Sequence, residues 1–362
     1  MTIAHTSSEL SPELLNRLDA IELTDPLGFS KVMAPVMAVA YYRDGAWETP
    51  RLTGLEPMDL WPHTQALHYG QALFEGMKAY RNLGDAVPGA SALLFRPFEH
   101  ARRMNRTALR LGMPELPEQV YVETLERLVS AVDKLVPNRQ GQSLYLRPTM
   151  FGATADLSVV PSTEFCFVVL ATPSDAFFTA PISAWIERLF SRAGPGGTGN
   201  VKAAGNYAAS FAAAAKLGEK GFHQLLWLDA ATHTQLEEFT AMNVFVRRGD
   251  RLLTPPLSDT ILAGITRDSL LRLGPTLGLD MREEPVAVDE VIDAVRSGEE
   301  VELFGCGTGA VVAPVELLGD DSGLRLPLPG REVASRLRQH MLDLQHGLIP
   351  GPEGWQWPVP KS

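Results

Sequence analysis

Cysteine is almost missing from this 362-residue chain: Cys166 and Cys306 stand alone and far apart. Two such thiols build neither a disulfide framework nor a thiolate zinc site. Long apolar runs are missing too. No segment approaches the roughly eighteen uninterrupted apolar residues of a membrane helix. The early residues, Glu9, Glu13 and Asp19 among them, lack the basic start and apolar core of an export signal. A cytoplasmic chain with no membrane segment is the reading that follows. Charge of one sign is never concentrated: the net charge is −11 without a long acidic or basic run, which argues against nucleic acid and anionic lipid as partners and leaves small molecules. His63 and His68 stand five apart with no further ligand type beside them, so no metal site is read. Lysine is scarce as well, seven residues against twenty-five arginines, so a lysine placed for chemistry has few competitors.

What is present is a core. With 45% hydrophobic residues the chain can bury a large interior, and its length exceeds what one core of roughly 250–300 residues supports, so two domains are expected. In the first half, Pro35 to Tyr42 and Trp47 to Leu52 flank Asp44-Gly45, a hairpin signal. Amphipathic helices follow over about 96–111 and 118–135, then strands over 143–151 and 164–171. Strands joined by short polar turns pair antiparallel, giving an α+β domain over 1–172. A linker is read at 173–181 and a second domain at 182–362. The second domain carries a helix from Tyr207 to Gly218 or Gly221, strands at 182–187, 224–228, 243–247, 251–254, 300–304 and 310–315, and a helix starting near Thr266 that Pro275 bends or ends. A last helix spans about 331–346, and the proline-rich tail reads as irregular structure.

Lys202 is the lysine placed for covalent chemistry. It lies between the glycine-rich stretch Gly194 to Asn200 and Gly205-Asn206-Tyr207, where small residues let backbone approach a ligand and the tyrosine can reach the same ligand. Lys78 is its one rival. Gly264-Ile265-Thr266 opens a helix, whose unpaired amides and dipole suit an anion, and Thr308 sits in a second glycine turn. Tyr145, Arg147 and the pair Glu237-Glu238 fall at element ends. A lysine for a covalent link, amides and an arginine for a phosphate, and a carboxylate for a ring nitrogen describe a pyridoxal-phosphate site. Taken singly, Arg103 reads as a surface arginine, Glu237-Glu238 as a charged turn, and Tyr69, Phe74 and Tyr145 as core aromatics; only the ordered set lifts them above this.

That set, His68 to Gly76, Arg96 to Met104, Leu144 to Pro148, Lys202 to Tyr207, Glu238 to Phe245, Gly264 to Arg267 and Gly305 to Thr308, resembles the branched-chain amino-acid aminotransferases, and the order matches along nearly the whole chain. The resemblance implies a fold-type IV pyridoxal-phosphate enzyme with a small N-terminal α+β domain and a larger C-terminal pseudo-barrel domain with helices. It implies ping-pong transfer of the amino group of leucine, isoleucine or valine to 2-oxoglutarate. By resemblance Lys202 holds pyridoxal 5′-phosphate covalently and moves the substrate proton, and Glu238, rather than its neighbour Glu237, faces the ring nitrogen. Tyr207 meets the phenolic oxygen, and Arg103, Ile265, Thr266 and Thr308 bind the phosphate. For substrate the resemblance implies an apolar lining of Phe29, Tyr69, Phe74, Tyr145 and Ala241. Tyr145, Thr308 and Gly309 take the α-carboxylate end, and Arg147 the side-chain carboxylate of glutamate. Leu157 and Val159 sit on a loop that reaches the partner subunit's pocket, which implies a homodimer.

A D-amino-acid aminotransferase or an aminodeoxychorismate lyase of the same fold type is the alternative, and a non-catalytic phosphate-binding protein is a reading from a different class. The resemblance is incomplete in two places. Ala310 and Ala313 stand where some relatives carry a cysteine pair, and Ala34-Pro35-Val36-Met37 departs from the pattern of many relatives.

Overall fold

Asp44 and Gly45 both take positive φ, the backbone that a two-residue hairpin needs, and they turn Val36–Arg43 back on Ala46–Trp47 where the sequence predicts a hairpin, although the returning strand expected over 47–52 is split into Ala46–Trp47 and Arg51–Gly54. This computed structural model describes residues 10–361, so Glu9 and the rest of the extreme N-terminus lie outside the described residues. The chain divides into two compact units, residues to Phe177 together with Leu342–Ser362, and Phe178–Met341.

The first unit is an antiparallel sheet in the order Gln356–Pro360, Ala90–Phe95, Met77–Arg81, Ser143–Gly152, Phe165–Ser174, Val36–Arg43, Ala46–Trp47. The helices Pro97–Arg110 and Glu118–Ala131 turn Met104, Ala108, Val122, Leu125 and Val129 inward at helical spacing, into a core shared with Ala38, Met77, Leu94, Leu146 and Val169 on the strands. The C-terminal tail differs from its expectation. Gln356–Pro360 is a strand paired with Ala90–Phe95 at the edge of this sheet, a place where prolines are tolerated because one row of amides has no partner to serve. Trp357 anchors it, edge-on to Phe98 at 5.1 Å, with its indole N–H donated to Glu126. Residues 342–362 therefore lie with the first unit, whereas the sequence assigned 182–362 to the second domain. The strand Phe165–Ser174 also runs past 172 into the stretch read as linker.

The second unit closes a ring. Leu236–Phe239, Gln224–Leu228, Ile182–Glu187, Val311–Gly319, Val301–Gly307 and Asn243–Arg248 pair in that order, and Glu238 opposite Asn243 joins the last strand to the first. Closure buries the edges of these strands and packs Ile186, Leu226, Val244, Val246, Leu303 and Val315 together. The helix Val288–Arg296, not read from sequence, adds Val288, Val291 and Ile292. The single helix expected from Tyr207 is three short turns instead, Gly205–Ala208, Phe211–Ala214 and Leu217–Lys220. Its alanines offer little apolar area to dock a continuous helix, and Gly221 ends it at a φ of 72°. Ile265–Leu273 stops as Pro275 requires, passing into a 3₁₀ turn. Among the described residues no helix is long and apolar enough to cross a membrane.

Candidate active site

Strand pairing gathers the chemistry of the second unit at one end of its ring. Glu238 lies opposite Asn243, Asn243 lies opposite Cys306, and the strand carrying Cys306 runs directly into Thr308-Gly309. Asn243 extends the cluster sideways by donating to the Leu262 carbonyl (2.8 Å), shortly before the helix that begins at Ile265. Residue 264 must be glycine because a Cβ there would collide with the Asn243 side-chain oxygen. Gly264 also contributes no side-chain acceptor at the N-cap, so no capping side chain competes for the first-turn amides beside Ile265 and Thr266.

Glu238 is buried within this cluster. Its Oε1 accepts from Arg192 Nη2 (2.7 Å); its Oε2 accepts from Asn243 Nδ2 (3.0 Å) and the Leu262 N–H (3.3 Å). Arg192 divides the same Nη2 among Glu238, the Gly199 carbonyl and the Thr260 carbonyl, and its buried Nε has no partner. Burial pushes the Glu238 carboxyl up to about 7, against the lowering pull of Arg192, the Leu262 amide and the charge of Lys202. The carboxylate is under-neutralised and suited to a further cationic or N–H partner. Glu237 is a different case. As the alternate strand residue it points the other way, takes a hydrogen bond from Thr260, and is likewise raised by burial. Both are buried, unlike the solvated turn that their sequence suggests when read alone.

Lys202 and Tyr207 meet directly, Nζ donating to the phenolic oxygen at 2.7 Å. Asn206 fixes the loop that presents them, since its Nδ2 donates to the carbonyls of Thr198 (2.6 Å) and Val201 (2.9 Å). Thr308 and Gly309 are half-buried, and Ala241 is exposed in the turn beyond Phe239.

In the first unit, four residues predicted for substrate come together. Phe29 packs edge-on to Tyr145 at 5.1 Å, Arg147 donates to the Tyr145 hydroxyl (3.0 Å), and its guanidinium lies 4.7 Å over the Phe74 ring. Gly76 is glycine because the Tyr145 hydroxyl fills the space of its missing Cβ. The result is an aromatic wall with one fixed cation. Tyr69 donates its hydroxyl to the Leu157 carbonyl, and Gln65 holds the carbonyls of Ser158 and Val160, so the loop with exposed Leu157 and Val159 is tied down from inside. Arg103 is buried rather than on the surface, clasped by Glu75. Lys78 is buried in the strand Met77–Arg81 opposite Tyr145. Among the described residues no group of three or more His, Cys, Asp or Glu side chains could hold a metal ion.

Residues 72–318 match the family described as Amino-transferase class IV, and the chain belongs to that family. It is 39% identical over 336 residues to a probable branched-chain-amino-acid aminotransferase of Streptomyces coelicolor, covering 91% of each chain. It is 38% identical to branched-chain-amino-acid transaminase 1 of Bacillus subtilis, covering 92% of this chain and 95% of that one. Among solved structures, a T.th. branched-chain amino acid aminotransferase complexed with N-(5′-phosphopyridoxyl)-L-glutamate aligns with a TM-score of 0.71 at 26% identity, over 89% of this chain and 99% of the other. The branched-chain aminotransferase of Thermoproteus uzoniensis with norvaline aligns with a TM-score of 0.72 at 23% identity, again over 89% and 99%, which speaks for the fold. The two-domain α+β fold with its closed sheet is thus the fold-type IV arrangement the sequence predicts.

Sequence reasoning missed Arg192, Asn243, Asn206 and Glu75. Glu75, Asn206 and Asn243 lie inside the matched segments, but nothing in a sequence distinguishes a buried polar or charged side chain from a solvated one.

Proposed function

We propose that this protein is a pyridoxal-phosphate-dependent branched-chain amino-acid aminotransferase that exchanges amino groups between leucine, isoleucine or valine and 2-oxoglutarate. The observation that carries the reading is Glu238, a buried carboxylate poised at about 7 and lacking a second full cation, at the end of the ring where Lys202 lends it charge. A pyridinium nitrogen supplies the missing partner, and the donor set fits the cofactor: a lysine amine, a phenol 2.7 Å from it, a helix N-terminus and the buried carboxylate. When bound, the cofactor supplies an aldehyde carbon for the amino group and a conjugated ring that takes up the electron pair released at the substrate α-carbon.

This chain's residues do the rest. Lys202 Nζ would hold the cofactor at its aldehyde carbon, and as a free amine the same Nζ would take the substrate α-proton. Glu238 keeps the proton on the ring nitrogen, Tyr207 meets the phenolic oxygen, and Arg103, the Ile265 amide, Thr266 and Thr308 hold the phosphate. The wall of Phe29, Phe74 and Tyr145, with Tyr69 and Ala241, accepts a branched aliphatic side chain. Arg147 takes the distal carboxylate of glutamate in its turn, while Thr308, Gly309 and Tyr145 orient the α-carboxylate. The exposed Leu157, Val159 and Val160 on a pinned loop suit burial against a second copy, so the working form is read as a homodimer. The setting is the cytoplasm.

The names of its relatives favour this reading over the D-amino-acid aminotransferase and the lyase. The test is a visible absorbance spectrum of protein loaded with pyridoxal phosphate, before and after L-leucine. Loss of the bound cofactor's visible band, with appearance of the 2-oxo acid, supports it. A band that responds only to D-leucine, or that releases pyruvate from aminodeoxychorismate, overturns it.

A further inference from the structure

The first unit contains a cluster that the proposed reaction does not consume. Glu75 is fully buried, between the strands Ala72–Phe74 and Met77–Arg81. Its Oε1 accepts from Arg103 Nε and its Oε2 from Arg103 Nη2, both at 2.7 Å. This is the bidentate fork, the geometry that fixes a guanidinium plane as well as its position. Oε2 also meets His100 Nδ1 at 2.9 Å and the Gly76 N–H at 3.3 Å. His100 and Arg103 share one face of the helix Pro97–Arg110, so one carboxylate orders both.

The protonation states follow from the neighbours. Burial alone would raise Glu75, but the charge and hydrogen bonds of Arg103, with the hydrogen bond of His100, hold it well below the ordinary carboxylate range. An ionised carboxylate only accepts, so the His100 proton sits on Nδ1. Burial lowers His100, which leaves its ring neutral at physiological pH. Two donors on one edge of Arg103, Nε and Nη2, are therefore committed to Glu75, and the edge carrying Nη1 points away from the carboxylate.

We propose that Glu75, backed by His100, is the positioning residue that aims the outer edge of Arg103 at the cofactor's phosphate. This rests on the reading of Arg103 as a phosphate ligand. Glu75→Gln exchanges one acceptor for an N–H donor, so at least one arm of the fork becomes donor facing donor, and the guanidinium must turn.

The experiment compares the affinity of the cofactor-stripped full chain for pyridoxal phosphate and for pyridoxal, which lacks the phosphate. In Glu75→Gln the preference for the phosphorylated form should fall roughly tenfold or more, as expected for a misaligned charge-assisted contact, with pyridoxal affinity unchanged. Arg103→Ala should lower the same preference, and the double variant should be no worse than Arg103→Ala alone. If Arg103→Ala lowers the preference and Glu75→Gln does not, or if the two effects add, the positioning role is overturned while the phosphate reading stands. If neither changes it, Arg103 is not a phosphate ligand and both fail. Should Glu75→Gln not fold, Glu75→Asp keeps the charge on a shorter arm; an unchanged preference there is equally fatal to the proposal.

Discussion

Glu75 in the first unit and Glu238 in the second are both buried carboxylates facing a buried arginine, yet they titrate in opposite directions. Burial raises each, and coordination decides the outcome. Glu75 receives both arms of Arg103, a histidine N–H and a backbone amide, enough to hold it ionised far below its ordinary value. Glu238 also receives Asn243 Nδ2 and the Leu262 N–H, but only one nitrogen of its arginine, Arg192, and that nitrogen is shared with two carbonyls; it ends at about 7. A pair of similar composition can thus serve as a fixed support or as a poised site. The way the arginine is engaged, by both arms for Glu75 and by one shared nitrogen for Glu238, separates the two more than the presence of an arginine does.

The largest effect that tests this contrast is on turnover in Lys202→Ala, which removes the amine and also the positive charge that helps ionise Glu238. Turnover should fall by roughly ten-thousandfold or more while the fold persists. Single-turnover kinetics on cofactor-loaded protein check it, and near-normal rates would move the role to another lysine.

Next is Glu238→Gln, expected to slow kcat by roughly a hundredfold at saturating cofactor, whereas Glu237→Gln and Glu75→Gln stay within a few fold. Steady-state rates on all three variants decide it. A comparable loss in Glu237→Gln would show that the strand register at this end of the ring does not assign the role.

The pH dependence of cofactor-free stability comes third. Glu238 goes from 4.5 unfolded to about 7 folded, so between those values the folded state holds the extra proton and stability falls as pH rises. Relative to Glu238→Gln, the parent should lose about 3 kcal/mol between pH 4.5 and 7. Glu75 is lowered, so its contribution is present above about 4.5 and disappears as pH falls; the parent's advantage over Glu75→Gln should shrink in acid. Urea titrations across pH measure both, and slopes of the same sign would erase the contrast between the units.

The smallest effect is where the units should agree. Burial pushes the thiols of Cys166 and Cys306 up to about 12 each, so neither is labelled by iodoacetamide in the native state at about pH 8. Cys306 lies next to the glycine turn at Gly307, but the strand that carries it is buried. Mass spectrometry after labelling tests this, and modification of Cys306 alone would reveal local opening of the second unit's ring.

Much of this was legible in the residue order. The Asp44-Gly45 hairpin, the two helices of the first unit and the strand Ile182–Glu187 announce themselves through turn chemistry and local periodicity, which operate within a few residues. Lys202 beside Tyr207 was legible for the same reason, since five residues of loop bring the two together. The closing pair Glu238 and Asn243, the strand made of the proline-rich tail and the helix at 288–296 were not read, because their formation depends on which partner strand or core face is available.

By itself the sequence determined the family, the order of most elements and the residue types at the site, because these depend on local pattern and on motifs in register. Only the tertiary structure decided which charges are buried and how many donors each receives. Arg192, Thr260 and Leu262 converge on Glu237 and Glu238 from distant parts of the chain, and Glu75 finds Arg103 and His100 across a strand and a helix. Desolvation and Coulomb energy depend on distance in space and on access of water, and neither is written in sequence separation.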